Sequence, residues 1–263
     1  MKRISIKQYD EKQKESVYNE IKTLKALDSP FVLNYIEHFV HDTKMEIIIE
    51  YAQEGVIADY LEKAKNEGTY IPDSQVKDWL AQSVIALMYM HSKGIMHRDL
   101  KPENMFLLKN NRIKLGDFGV SKEIDAEINL AKTMCGTPNY MAPEVCKGIK
   151  YGYQADMWAL GCAFYEIMCF YPPFEGQNIA QVFEQIINAD PKNELPDVYS
   201  DELRTVITKL MSKSPHSRLS LPELLKIDFI KEKIVIWSQS EPIILEHIEN
   251  CLPLILEKLA ASM

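Results

Sequence analysis

Long hydrophobic runs are absent from the 263-residue sequence. None reaches the roughly eighteen residues that a membrane span needs, so no membrane-crossing helix is expected. No apolar h-region stands near the first residues, so no secretory signal is expected either. Cysteine is sparse and odd in number: Cys135, Cys146, Cys162, Cys169 and Cys251, with no CxxC pair. That argues against a disulfide framework and for reduced thiols in a cytosolic protein. No Cys/His cluster shows metal-ligand spacing. An excess of positive charge is missing too. Lys and Arg number 30 against 38 Asp and Glu, a formal net charge of -8. This disfavours nucleic acid or an anionic membrane surface as the main partner. Internal repeats and low-complexity segments are also absent.

The remaining composition, 46% hydrophobic and 26% charged, is that of an ordinary globular chain, and the length allows one large domain or two lobes around a sizeable core. Residues 10–27 read as a helix, with Val17, Ile21 and Leu24 at i, i+4 and i+7 and charges on the other face. Residues 45–51, MEIIIEY, read as a short buried strand, followed by a polar helix around 57–66. The clearest helix is 74–92, with Ser74 as its expected N-cap and Gly94 closing its end. Two short strands follow at 105–108 and 113–115, joined by the polar turn KNN. Residues 154–170 are apolar nearly all round, which predicts a central buried helix. Further helices run to about residue 230. Beyond it, 231–263 has a helical period interrupted by Pro253. Docking or dimerisation and packing against its own domain both remain open for this tail.

Three short sequences carry chemistry: HRDLKPEN at 97–104, DFG at 117–119 and GTPNYMAPE at 136–144. Each alone is weak, and Asp and Asn on loops are often only turn formers. Together, in this order and next to this helix and these strands, they resemble the signature set of protein kinases. The resemblance covers the chain to about residue 230. It implies an α+β, bilobal kinase-like fold, with an incomplete N-terminal β-lobe and an intact, mostly helical C-terminal lobe. The domains implied are 1–52 (end of a third strand, regulatory helix, two strands, hinge), 53–230 (large lobe) and 231–263 (helical tail).

Phosphoryl transfer asks for positioned phosphates, Mg²⁺ and an aimed hydroxyl rather than covalent help. The resemblance assigns Asp99 as catalytic base, Lys101 to the transferring phosphate, and Asn104 and Asp117 to Mg²⁺ through hard oxygen atoms. It assigns Glu50, Ala52 and Leu107 to ATP, with Ile49 as gatekeeper. His97, Phe118 and Leu24 resemble the stacked residues of an assembled site. Glu144 pairs with Arg218, and Asp156 anchors the catalytic loop from the buried helix. An acidic residue opening an apolar helix needs such partners. Thr137 in the peptide platform, together with Lys101, resembles serine/threonine kinases acting on proteins. Val120, after DFG, weighs weakly toward threonine as acceptor. Arg98 would meet a phosphate on Thr133, placed there by an activating kinase or by self-phosphorylation. LAKTMCGTPNYMAPE, KLGDFG and DMWALGC look most like the NIMA-related branch. Its members suggest a cytoplasmic protein with cytoskeletal association.

One expected motif is missing: the sequence holds no G-x-G-x-x-G. The nucleotide lysine should pair with Glu20 in NEIKTL. Lys7 has the attractive context ISIK, but Lys2 has the separation usual in the family, and Lys2 is the expected residue. The chain then begins one residue before that lysine, without the glycine-rich loop and first strands. The expectation is weakened ATP binding and low turnover, and the alternative is a non-catalytic kinase-like scaffold or binding module.

Overall fold

The computed structural model describes residues 2–5, 15, 18, 21, 22, 24–41, 44–117 and 138–240, with 246, 249, 250 and 253 beyond them. Strands β1 (Lys2–Ser5), β2 (Tyr35–His41) and β3 (Lys44–Ile49) form an antiparallel sheet with β3 in the centre. Lys2 stands opposite Ile47 and Ser5 opposite Lys44. Alternation along β3 buries Met45 and Ile47, as a sheet with one covered face requires. Helical residues at 15, 18, 21, 22, 24 and 25 mark the expected first helix. Its Ile21 and Leu24 are buried, while Val17 lies outside the described residues.

Among the described residues, two segments join this sheet to the helical part. Val32 bridges Leu115, with the Leu115 N–H donating to Phe31 O (2.9 Å) and the Leu33 N–H to Leu115 O (2.8 Å). After β3, the chain passes Glu50–Ala52 into helix α1 (Ile57–Glu67), which Gly68 ends in the left-handed region at φ 66°. Helix α2 (Asp73–Ser92) follows. The expected Ser74 cap is displaced: the N-cap is Pro72, and Ser74 sits inside the first turn. The Asp73 carboxylate instead accepts from the Ser200 N–H and hydroxyl, both at 2.9 Å, and meets Lys77 at 3.0 Å. A residue 127 positions away thus ties down this helix start. Gly94 (φ 80°) closes the end as expected.

Strands β4 (Met105–Leu108) and β5 (Arg112–Leu115) pair as a hairpin. Asn110 and Asn111 turn it with φ of 61° and 58°, a conformation asparagine tolerates. Helices α3 (Pro143–Cys146), α4 (Gln154–Cys169), α5 (Ile179–Asn188), α6 (Asp201–Leu210) and α7 (Leu221–Leu224) complete the large lobe. Helix α4 is buried on nearly every side. At Gly161 an added Cβ would come within 2.8 Å of Met211 and 2.9 Å of Leu210, so glycine permits the close approach of α4 and α6. Helix α8 (Asp228–Ser240) runs through the boundary expected between 230 and 231. Its Ile230 and Ile234 are buried, so this part of the tail packs on its own domain. Among the described residues, no helix is long and apolar enough to cross a membrane.

Candidate active site

The segment 97–104 is fixed from beneath by α4. Asp156, 1% exposed, accepts from the His97 N–H (2.8 Å), the Arg98 N–H (2.8 Å) and His91 Nε2 (2.8 Å). Burial alone would raise its pKa. The His91 hydrogen bond and charge, the nearby His97 and the Arg98 N–H outweigh that and hold the carboxyl below its ordinary value. The anchoring forces Arg98 into the left-handed region at φ 64°, a conformation that costs a side-chain-bearing residue free energy and persists only where its surroundings impose it.

Within this loop, Asn104 is 4% exposed and faces Asp99. Its Nδ2 donates to Asp99 O at 2.7 Å and to Asp99 Oδ2 at 3.0 Å. Lys101 Nζ lies 3.4 Å from the same Oδ2. With its amide nitrogen committed to Asp99, Asn104 keeps its amide oxygen for a cation. The hairpin brings Asp117 alongside: the Gly116 N–H donates to Asn104 O at 3.0 Å. Gly116 is required there, since a Cβ would lie 2.8 Å from the Phe106 ring and 3.1 Å from Leu33. Asp117 takes a positive φ of 55°. Among the described residues, no group of three or more His, Cys, Asp or Glu could hold a metal by itself. One carboxylate and one amide oxygen suit Mg²⁺, which usually shares protein ligands with phosphate oxygens and water.

The segment after β3, Glu50–Ala52, is the expected hinge. Ala52 makes no backbone hydrogen bond among the described residues, which leaves its N–H and C=O for a planar ligand. The Glu50 N–H is committed to Asn34 O at 2.8 Å. Its carboxylate accepts from Lys114 Nζ at 2.7 Å and from the Asn34 N–H at 3.3 Å. Leu107 does not join this group. It is 6% exposed in the core, with its N–H on Gly55 O and its C=O on the Glu54 N–H. Strand alternation is the reason: it turns Phe106 to the other face, against Gly116 and next to Asp117.

The platform segment is held separately. Arg218 Nη1 and Nη2 donate to Glu144 Oε1 and Oε2, both at 2.7 Å, and the pair is buried. The Tyr140 hydroxyl donates to Glu166 on α4. Burial, with the charges of Glu103 and Glu175, raises the Glu166 carboxyl to about 7 despite the opposing Tyr140 bond. Lys2 is described only by its backbone position in β1. Glu20, Phe118, Val120, Thr133 and Thr137 lie outside the described residues.

Of the expected residues, the structure brings together Asp99, Lys101, Asn104 and Asp117 at one corner, with Arg98 and Asp156 beneath, while Glu50 is tied to Lys114 and Asn34. Sequence reading missed His91, Phe106, Lys114 and Gly116. Strand periodicity puts Phe106 and Leu107 on opposite faces but does not say which face meets Gly116. Lys114 and Gly116 stand inside KLGDFG, but nothing local says that the lysine reaches the hinge. His91 meets Asp156 across 65 residues, a distance no local pattern spans.

The protein kinase domain family model matches residues 1–230. The chain is 37% identical over 235 residues to serine/threonine-protein kinase Nek11 of Macaca fascicularis, covering 89% of this chain and 36% of that protein. It is 32% identical over 246 residues to serine/threonine-protein kinase Nek6 of Oryza sativa subsp. japonica, covering 93% and 45%. It is 34% identical over 221 residues to serine/threonine-protein kinase nekl-2 of Caenorhabditis elegans, covering 82% and 61%. The chain thus spans less than two thirds of the length of these curated relatives. With the family model running through the loop of Asp99, the corner of Asp117 and the Glu144–Arg218 pair, this chain belongs to the protein kinase family, in its NIMA-related branch.

Proposed function

We propose that this protein transfers the γ-phosphoryl group of ATP to serine or threonine hydroxyls of protein substrates. The observation that carries the reading is the corner where Asn104 and Lys101 converge on Asp99 while the Gly116 N–H ties Asp117 to Asn104. Bound Mg²⁺-ATP supplies the transferable group and the cation that offsets its charge. Asn104 Oδ1 and the Asp117 carboxylate would hold that cation. Ala52 and the Glu50 C=O would take the adenine edge, and Phe106 offers an apolar face beside Gly116. Asp99 accepts the hydrogen bond of the substrate hydroxyl and orients it, and Lys101 shares its charge between Asp99 and the phosphate. Asp156 keeps the loop in this shape before any ligand arrives, so orientation is set in advance.

The peptide platform speaks for a polypeptide acceptor, because Tyr140 and Glu144 are both secured to the large lobe. Regulation by phosphate on Thr133 belongs to the same proposal, with Arg98 as the receiving cation, and so do action in the cytoplasm and association with the cytoskeleton.

Calorimetry with Mg²⁺-ATP on the wild type and Asp117→Ala tests the site. Phosphate transfer to a protein substrate by the wild type and Asp99→Asn tests the chemistry. Binding lost in Asp117→Ala and transfer lost in Asp99→Asn are expected. Nucleotide binding with no Asp99-dependent transfer would establish the binding module instead, and no binding in the wild type would overturn the nucleotide site.

A further inference from the structure

Helix α8 begins within the residues the family model matches, which end at 230, and runs for ten residues beyond them. Two of its side chains, Lys233 and Trp237, are four positions apart and so share one face. Trp237 reaches the start of β5 and Lys233 reaches α2. The Trp237 ring stacks on Phe31, with centroids 4.9 Å apart and planes at 27°. Arg112, the first residue of β5, places its guanidinium 5.6 Å from the Phe31 ring and 6.0 Å from the Trp237 ring. Phe31 in turn receives the Leu115 N–H at the far end of β5. Lys233 takes a second route. Its Nζ meets Asp78 Oδ1 at 3.1 Å, and Asp78 Oδ2 accepts from Gln82 Nε2 at 3.0 Å. Gln82, fully buried, donates to Asn111 O (3.1 Å) and accepts from the Ile113 N–H (2.6 Å) through Oε1.

We infer that helix α8 is a strut for the catalytic corner, with Trp237 and Lys233 as positioning residues that hold the two ends of β5. The strand leads through Gly116 into Asp117, and the Gly116 N–H is bonded to the Asn104 carbonyl. Whatever fixes β5 therefore fixes both expected cation ligands relative to one another. Aromatic pairs and buried hydrogen-bonded amides have well-defined geometry. Two such links at opposite ends of a four-residue strand restrain its tilt as well as its position. The inference gives the first turns of the tail a task in the proposed reaction, and in its nucleotide-dependent part it rests on the kinase reading.

Amide hydrogen exchange on the full chain tests the strut without any nucleotide. In Trp237→Ala the Leu115 amide should exchange about fivefold faster or more, the effect of losing one aromatic pair. Amides of α4 should stay unchanged, and Trp237→Phe should restore protection. In Lys233→Met, an exposed-side change that leaves the stack intact, acceleration should appear at Ile113 and not at Leu115. Uniform acceleration that includes α4, or none at Leu115, would overturn the inference. Calorimetry then separates it from the kinase reading. If the wild type binds Mg²⁺-ADP, Trp237→Ala should weaken that binding more than it weakens ADP without the cation. Equal weakening would also overturn the strut. If the wild type binds no nucleotide, the kinase reading fails and the exchange result alone decides.

Discussion

The peptide platform and the hinge are each secured by a buried cation, and the two are secured differently. Arg218 lies under the platform and uses every N–H of its guanidinium: Nε on Ser212 O, Nη1 on Glu144 and Gln154 O, Nη2 on Glu144 and Lys213 O. The fork geometry matches the carboxylate, and the three carbonyls leave no donor over. Lys114 lies behind the hinge and meets Glu50, whose side chain keeps 27% exposure. An ammonium on a flexible stem tolerates a change of angle that a bidentate fork does not. The platform is therefore held in one arrangement, whereas the hinge is held by a joint that can turn. The distinction suits the proposed reaction, in which a polypeptide is docked on the large lobe while nucleotide enters and leaves beside the hinge.

The largest effect should come from breaking the rigid side of this comparison. Arg218→Ala leaves Glu144 buried without its partner and strands three carbonyls. A loss of about 3–5 kcal/mol of stability is expected, read from urea unfolding. Arg218→Lys should recover only a small part of it, because a point charge cannot serve both carboxylate oxygens. Full recovery by lysine would mean that the fork geometry is unimportant.

Lys114→Met breaks the adaptable side and should cost far less, about 1 kcal/mol, since Glu50 can turn to water. Its signature belongs at the hinge, as faster exchange of the Glu50 amide, which is bonded to Asn34 O, and altered nucleotide affinity with an unchanged platform. A stability loss as large as that of Arg218→Ala would erase the contrast between the two joints.

The smallest effect concerns pH. Glu166 has its pKa raised to about 7 in the folded protein, above the ordinary glutamate value. Its contribution to stability is thus fully present below that ordinary value and is lost as pH rises through about 7. Asp156 has the opposite sign. Its lowered pKa gives stability that is present above the ordinary carboxylate range and is lost only as pH falls through the lowered value. Glu166→Gln should therefore flatten the decline of stability that runs from the ordinary glutamate value up to about 7, while leaving the acid limb in place. An unchanged slope in this variant between the ordinary glutamate value and about 7 would remove Glu166 as its source.

Much of the fold was legible because local chemistry and final position agree. The apolar run of α4, the two strands flanking KNN and Gly94 after α2 appear where periodicity and turn preference put them. Where they disagreed, a distant partner decided. Ser74 is a good cap by type, but Ser200 and Lys77 claim Asp73 and the helix begins one residue earlier. Leu107 and Phe106 are equally apolar neighbours, and only the pairing of β4 with β5 and with Gly55 tells which one faces Gly116. Helix α8 passes residue 230 because Ile234 is buried and Trp237 finds cover on Phe31, a fact absent from the tail's own pattern.

By itself the sequence determined the chemistry: which acid, amide and amine stand in 97–104, which carboxylate follows β5, and that a buried helix opens with Asp156. These are properties of residue type and short spacing, carried by covalent order. Tertiary structure decided the alignment. His91 on Asp156, Lys114 on Glu50, Arg218 on Glu144 and Trp237 on Phe31 join residues far apart in the chain. Such pairs form only when the lobes and helices bury one another, since burial is what excludes water as the competing partner and makes one geometry better than the rest.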